Sequence, residues 1–458
     1  MKMQEMTISQ ITKAVNGQLL CGEEESVIRS VTTDSRQAGE QMLFVPIIGE
    51  RFDGHDFIDN VWGQRTAAVL TQKDIILPPE GAVIRVEDTF EALADLARAY
   101  KKQYPVPTVA VTGSVGKTTT KDMLASVLGK KYRTLKTQGN FNNEIGVPLT
   151  IFQLEKEHQS AVIEMGMSGF GEIRKLASIA QPDVAVITNI GMSHIEKLGS
   201  QQGIFEAKME VAEQFGPHNV LIVNGDDPFL STIKGKGEYQ VIYYGIHNPE
   251  NDVVAKDIVS GGLQGIRFTA CVDGNEYPVA VQVAGEHNVY NALSAICVGR
   301  QFNIPMEDIL QGITGFELTA MRMAIEEKNG ITIINDCYNA SPDSVRAALS
   351  VLADAPGQRK VAILGDILEM GGFAKKAHQE LGKSVAEKKI DVLITAGENA
   401  FYLAKAAEEA GVTVYAFETT GQACSYVKKY VKAGDAVLVK ASRGMRFETI
   451  YETVSEIK

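Results

Sequence analysis

The chain has 458 residues, with 45 Lys and Arg against 57 Asp and Glu, giving a formal charge of −12. At about 150 residues per domain this length predicts three domains, and 45% hydrophobic with 22% charged residues excludes bulk disorder. The acidic balance excludes a general nucleic-acid binder, which needs a Lys/Arg excess, yet it leaves room for a small charged ligand at a local basic site.

No stretch reaches the ~18 continuous apolar residues of a membrane span. Met1 to Glu25 lacks an apolar core and ends in Glu23, Glu24 and Glu25, unlike a signal peptide. The cysteines (21, 271, 297, 337, 424) are odd in number and scattered, without metal or disulfide spacing. These features lead us to expect a reduced, cytoplasmic enzyme.

Residues 1–104 read as a first, small α/β unit. Its short apolar runs, Met42–Pro46, Ala67–Leu70 and Ala82–Val86, are separated by polar turns, and a helical stretch, Thr89–Tyr100, closes it. Tyr104-Pro105-Val106-Pro107 then reads as a linker, because a residue before proline avoids the helical region.

From Thr108 the pattern becomes alternating strands and helices. Thr108–Thr112 precedes a Gly-rich turn and a helix over Lys117–Gly129, and further strands are predicted at Ala161–Met165, Val184–Asn189, Val220–Asn224 and Val241–Gly245. This is the signature of a parallel sheet covered on both faces. Gly265–Val283, turning at Asp273-Gly274-Asn275, reads instead as an antiparallel hairpin, and His287–Phe302 and Met306–Ile313 read as helices. The second unit is thus 105–316, a phosphate-loop, ATPase-like domain.

The third unit, 317–458, has predicted strands at Ile331–Asn335, Lys360–Leu364, Val392–Ala396, Val412–Phe417 and Ala436–Lys440, with helices starting near Ser341, Ala374, Glu398, Gly421 and Arg446. This predicts a Rossmann-like, doubly wound domain. No GxGxxG follows its first strand, so dinucleotide binding is not indicated.

The most specific motif is Thr112-Gly113-Ser114-Val115-Gly116-Lys117-Thr118-Thr119-Thr120, lying between a predicted strand and helix as a phosphate loop requires. Glycines let backbone N–H groups turn to the ligand, and the helix N-terminus adds partial positive charge. Lys117 can reach the β- and γ-phosphates and the Thr118 hydroxyl can ligate Mg²⁺. The first glycine of the usual pattern would fall at Val111, so the loop is a variant. No Asn-Lys-x-Asp follows to read guanine.

Glu164 ends a predicted strand, where α/β sheets place ligands, and could hold Mg²⁺ or simply be a solvated strand end. His194 follows the next strand; a lone histidine is commonly structural. Lys208 falls on the apolar stripe 204, 208, 211, 212, 215 of a helical segment. A buried lysine is costly unless paired, neutralised or modified, though it could also snorkel to the surface. Cys337 has no His/Asp partners and is read as packing.

Together these motifs resemble the Mur ligase family of peptidoglycan-synthesising, ATP-dependent amide ligases. The resemblance also rests on Gly285-Glu286-His287-Asn288-Val289-Tyr290-Asn291-Ala292-Leu293 and Arg322, and spans all three domains. Within the family, Gly139-Asn140-Phe141-Asn142-Asn143-Glu144-Ile145-Gly146-Val147-Pro148, Asn335-Asp336-Cys337-Tyr338-Asn339-Ala340-Ser341-Pro342, Ile363–Gly371 and Lys440-Ala441-Ser442-Arg443-Gly444 look like the branch that adds D-alanyl-D-alanine to UDP-N-acetylmuramoyl-tripeptide.

That resemblance implies ATP and two Mg²⁺ ions. Gly113, Ser114, Val115, Gly116, Lys117, Thr118 and Thr119 would hold phosphate, Asn291 adenine, Asp336 ribose, and Arg322 phosphate charge. Thr118 and Glu164 would bind one Mg²⁺, and His194 with a carbamylated Lys208 the other; Lys117, Lys208, His194 and Arg322 would carry catalysis. By their own sequence context Asn291 could be a helix-surface amide and Asp336 a helix cap. Ser35 and Arg36, in Thr33-Asp34-Ser35-Arg36, would contact the UDP-sugar, although a polar turn looks the same. Asn140 and Asn143 would bind substrate, Asn339, Ala340 and Arg443 would lie near the incoming dipeptide, and the protein would be a monomer.

Rival readings are another Mur-type or folylpolyglutamate synthase-like ligase, and a phosphate-loop ATPase coupling hydrolysis to partner binding. The second leaves Lys208 unexplained.

Overall fold

Every residue of Thr108–Thr112 is buried, because this strand is covered by helices on both faces. It lies inside a nine-stranded sheet of the computed structural model, which describes residues 1–319 and 321–457. Parallel to it run Val184–Ile187 on one side and Ser160–Glu164 on the other. Thr134–Lys136 extends one edge; Val220–Asn224 and Gln240–Gly245 extend the other.

Val253–Ser260 continues the sheet in parallel, and the hairpin Ile266–Val272/Asn275–Val281 completes it antiparallel. Sequence reading lacked Val253–Ser260. A register shift between Lys256 and Val259, with Asp257 at φ +52°, interrupts the alternation by which a strand is recognised. The helices Lys117–Leu128, His287–Gln301 and Met306–Thr314 pack together over one face of this sheet and share a core with it.

A six-stranded sheet precedes it in sequence, combining a parallel ladder (Val27–Thr32, Met42–Phe44, Ala68–Thr71, Ala82–Arg85) with antiparallel edges Lys2–Thr7 and Gln18–Cys21. Asp88 caps the helix Thr89–Gln103 by accepting from the Phe90 and Glu91 N–H groups, and Tyr100 of that helix donates to the Leu154 carbonyl at 2.7 Å. The first unit is thereby pinned to the second.

The third sheet holds Ile331–Asn335, Asp435–Lys440, Arg359–Gly365, Val392–Ala396 and Thr413–Phe417 in parallel, with Ala324–Lys328 antiparallel at its edge. This edge strand was also missed, because Glu326, Glu327 and Lys328 give it the charged face that edge strands carry. The helix Pro342–Asp354 starts with a Ser341/Ser344 capping box and proline at its first position. Its N-terminus meets the central unit, where Gly191 lies against Asp343. All three sheets mix parallel and antiparallel strands in an α/β architecture.

Candidate active site

The central sheet places its chemistry at the carboxyl ends of adjacent parallel strands, on either side of Thr108–Thr112, where the strand order switches direction. Three chain segments leave the sheet there. The Gly113–Thr119 loop opens the helix Lys117–Leu128, Glu164 ends the second strand, and Thr188–His194 follows the third.

Gly113 sits at φ +146°, and a Cβ on it would lie 1.8 Å from Thr188 Oγ1, so the tight turn demands glycine. Asn189 Oδ1 accepts from the Ser114 and Val115 N–H groups at 3.1 and 2.9 Å, and the Thr188 hydroxyl donates to the Val115 carbonyl at 2.6 Å. The loop is thus preformed by the neighbouring strand end. From behind, Thr120 donates to Asn291 Oδ1 at 3.0 Å, and Asn291 Nδ2 donates to Asn288 Oδ1 at 2.9 Å.

This loop forms one wall of a cleft of about 370 Å³ between the second and third units. Ser114 to Thr119, Glu164, His194, Arg322 and Asp336 line it, as do Asn143, Asn339 and Ala340. The structure thus brings most of the sequence-predicted residues together. It leaves Asn291 behind the loop with both amide atoms engaged, while His287 and Asn288, one turn earlier, face the cleft. Asn140 is outside the lining and exposed. Ser35 and Arg36 lie in the first unit away from the cleft, Arg36 held by Asp34 at 2.8–2.9 Å.

Lys117 curls back to donate to the Gly113 carbonyl at 2.7 Å. Burial pulls its ammonium below the ordinary lysine value; Glu164 opposes this and the positive charge of Arg322 adds to it. Excess positive charge suits a site awaiting a polyanion. Arg322 stacks its guanidinium 3.9 Å from the Tyr338 ring centroid and reaches Thr118 Oγ1 at 3.5 Å.

Glu164 is buried; its Oε1 accepts from Asn142 Nδ2 at 2.8 Å, whereas its Oε2 has no hydrogen-bond partner and its nearest cation, Lys121, stands 3.9 Å away. A hidden carboxylate oxygen without a donor suits a metal cation. No cluster of three or more His, Cys, Asp or Glu able to hold a metal exists among the described residues. A cation here would therefore draw on the Thr118 hydroxyl as well as Glu164.

His194 adopts φ +63° at the N-terminus of a short helix, and its Nδ1 lies 2.5 Å from Glu369 Oε2 of the third unit. That histidine holds the Glu369 carboxyl below the usual carboxylate range. Lys208 is outside the cleft lining, 2% exposed, and among the described residues has no salt-bridge partner. Burial, reinforced by the charge of Lys117, drives its ammonium far below the usual lysine value.

Sequence reasoning missed Asn142, Asn189, Lys440 and His287 as site residues. Lys440 ends a strand whose every residue is buried, and its ammonium donates to Asp336 Oδ2 at 2.5 Å and the Asn339 carbonyl at 2.9 Å. A charge closing an otherwise apolar strand was its signal in the sequence.

A second cavity of about 140 Å³ adjoins the cleft. Ser193, His194, Asn339, Ala340 and Ser341 line both, and Leu368, Met370, Ser442 and Arg443 line the second alone.

Residues 27–101 match the Mur ligase family catalytic domain, residues 111–299 the Mur ligase middle domain, and residues 321–443 the Mur ligase glutamate ligase domain. The chain belongs to the Mur ligase family. It is 42% identical over 458 residues to the UDP-N-acetylmuramoyl-tripeptide–D-alanyl-D-alanine ligase of Bacillus subtilis, covering 98% of each chain. It is 31% identical to the Escherichia coli enzyme of the same name, again over 98% of each.

Among solved structures, MurF from Acinetobacter baumannii superposes with a TM-score of 0.92 at 33% identity over 100% of both chains. MurF from Thermotoga maritima, solved in complex with ADP, gives 0.83 at 29% identity over 93% of this chain and 97% of that one. This Mur ligase has the family's three-part α/β architecture, and among its described residues no helix is long and apolar enough to cross a membrane.

Proposed function

We propose that this Mur ligase joins D-alanyl-D-alanine to UDP-N-acetylmuramoyl-tripeptide with ATP, through an acyl phosphate, giving the pentapeptide precursor of peptidoglycan. The observation that carries this reading is the wall shared by the two cavities. A phosphate-loop cleft sharing a wall with a small adjoining pocket supports a phosphorylated carboxyl group meeting a third ligand there, an arrangement an uncoupled ATPase does not need. Full-length similarity to ligases named for this reaction gives further support.

A substrate carboxylate oxygen attacks the γ-phosphorus of ATP and ADP leaves. The amine of the acceptor then attacks the acyl carbon, inorganic phosphate leaves, and the amine loses a proton. The first step brings two anions together, so its barrier is chiefly electrostatic. The backbone of residues 113–119 cradles the phosphates, Lys117 exchanges its Gly113 carbonyl for a phosphate oxygen, and Arg322 adds charge from the third unit.

Mg²⁺ at Thr118 and Glu164, with a second ion at His194 and a carbamylated Lys208, would neutralise triphosphate charge. Asp336, held by Lys440 and accepting from the Met323 N–H at 3.2 Å, takes the ribose, and Asn291 backs His287 and Asn288 at the adenine. Asn143 and Asn339 face the reacting carboxyl, Ala340 lines the acceptor pocket, and Arg443 meets the acceptor carboxylate as a fork. Ser35, Arg36 and Asn140 contact the UDP-sugar. The enzyme acts as a cytoplasmic monomer.

The test is phosphate release from Mg-ATP and UDP-N-acetylmuramoyl-tripeptide with no amine, D-Ala-D-Ala, D-Ala, L-Lys or diaminopimelate. Release dependent on D-Ala-D-Ala, with a pentapeptide product by mass, is expected. Release without any amine would replace this reading with an ATPase, and dependence on another amine would move the protein within its family.

A further inference from the structure

Tyr338 has no place in the mechanism above, yet it occupies the middle of the site. Its ring lies in the cleft wall with the Arg322 guanidinium 3.9 Å from its centroid on one side and that of Arg443 5.7 Å away. These two cations serve different ligands in the proposed reaction: Arg322 the nucleotide phosphate and Arg443 the acceptor carboxylate.

The backbone around the ring is fixed. Lys440 donates to the carbonyl of Asn339 on one flank and to the carboxylate of Asp336 on the other, and the Arg443 N–H donates to Asn339 Oδ1 at 3.3 Å. The chain beside Arg322 is tied to the same segment, since the Met323 N–H donates to Asp336 Oδ1. The described salt bridges include no carboxylate for Arg322, whose contacts are the Thr118 hydroxyl and the ring face. A long, flexible cation without an anion needs another group to hold its plane, and an aromatic face does so without neutralising its charge.

We propose that Tyr338 is a positioning residue of the ligase reaction: its ring holds Arg322 in line with the phosphate loop and keeps it charged and unpaired for phosphoryl transfer. A carboxylate in its place would orient the arginine equally well but cancel the charge the transition state requires. Arg443 stands farther from the ring and also meets the Glu448 carboxylate at 3.7 Å, so the positioning role falls on Arg322. This inference rests on the proposed ligase reading for the roles of the two arginines.

The test compares Tyr338→Phe with Tyr338→Leu, in whichever ATP- and amine-dependent reaction the wild-type enzyme performs; failure of the ligase reading would show in the wild type before any variant is made. Tyr338→Phe keeps the ring face and is expected to hold kcat within about twofold. Tyr338→Leu keeps bulk without a face and is expected to lower kcat roughly tenfold or more while KM for ATP moves less than about threefold. In an Arg322→Gln background the leucine change is expected to add no further loss, because the ring acts through that arginine.

Normal kcat in Tyr338→Leu, or full additivity with Arg322→Gln, would overturn the proposal. Tyr338→Met, which fills the space with a more flexible chain, takes the leucine variant's place if the latter does not fold, and the same outcomes decide.

Discussion

Burial disfavours the charged form of both Lys208 and His287, with different consequences for what each can do. Lys208 has no carboxylate partner among the described salt bridges, and burial with the nearby Lys117 charge disfavours its charged form. In its uncharged form the amine would add to carbon dioxide, forming an N–C bond and losing a proton, and the proposed carbamate would bring the anionic oxygens a metal uses. Lys208→Ala is therefore expected to lose roughly a hundredfold or more in kcat and to recover part of it with acetate or propionate, which refill the cavity with a carboxylate. Rate assays across a titration of these acids check this, and a variant indifferent to them would remove the carbamate from the mechanism.

His287 is pushed down to about 4 from 6.5 by burial, with Asp336 opposing and Lys440 assisting. Asn288 Nδ2 lies 3.3 Å from its Nε2, a contact the unprotonated nitrogen accepts. Between pH 6.5 and about 4 the unfolded chain binds this proton and the folded chain does not, so stability falls as pH drops through that window. At about 1.4 kcal/mol per pH unit, the loss approaches 3 kcal/mol near the lower end. Urea-melt midpoints stepped across this range should fall less steeply for His287→Gln than for the wild type. Equal slopes would show that the proton is taken up elsewhere.

Elements buried on both faces are those that amino-acid order describes best. Ile331–Asn335 and Val392–Ala396 have the bounds their apolar runs predict, because nothing but a covered parallel strand accommodates such runs. The phosphate loop is legible for a related reason: strand, glycine turn and helix are local, so its geometry is encoded within a dozen residues. Val253–Ser260 and Ala324–Lys328 escaped because a bulge broke the alternation of one and charges masked the edge of the other.

Within the site, Thr118 was legible from the phosphate-loop motif and Glu164 from its strand end, whereas the Asn142–Glu164 bond and the engagement of Asn291 depend on rotamers that spacing does not specify. Pairs between units, such as His194 with Glu369, join residues that no periodicity relates. A helix places Asn291 one turn from Asn288, and only packing decides which of the two faces the cleft.

At the scale of the whole molecule the reaction requires the third unit to rest on the second, and the structure shows where it does. The Glu196 N–H donates to the Glu369 carbonyl at 3.3 Å, and Ser260 Oγ donates to Asp354 Oδ2 at 3.0 Å. A further tight approach is at Gly191, where a Cβ would stand 2.2 Å from Asp343 Oδ2 and 3.1 Å from Ser114 Cβ. One added methyl must therefore displace the Asp343 carboxylate and press on Ser114, loosening the seat of the helix Pro342–Asp354 on the phosphate loop. The nearer clash is with a side chain of the third unit, so nucleotide binding by the central unit alone should survive. Gly191→Ala is expected to keep ATP affinity within a few-fold and to lose roughly tenfold or more in kcat, because a small misplacement of converging groups is costly. Adding Asp343→Ala removes the nearer clash and should restore part of the rate, leaving only the tight contact with Ser114. Ligand-induced compaction measured by solution scattering should follow the same order, smallest in Gly191→Ala and partly recovered in the double variant. Unchanged turnover in Gly191→Ala would mean that the reaction proceeds without this contact and that the two units meet elsewhere during catalysis.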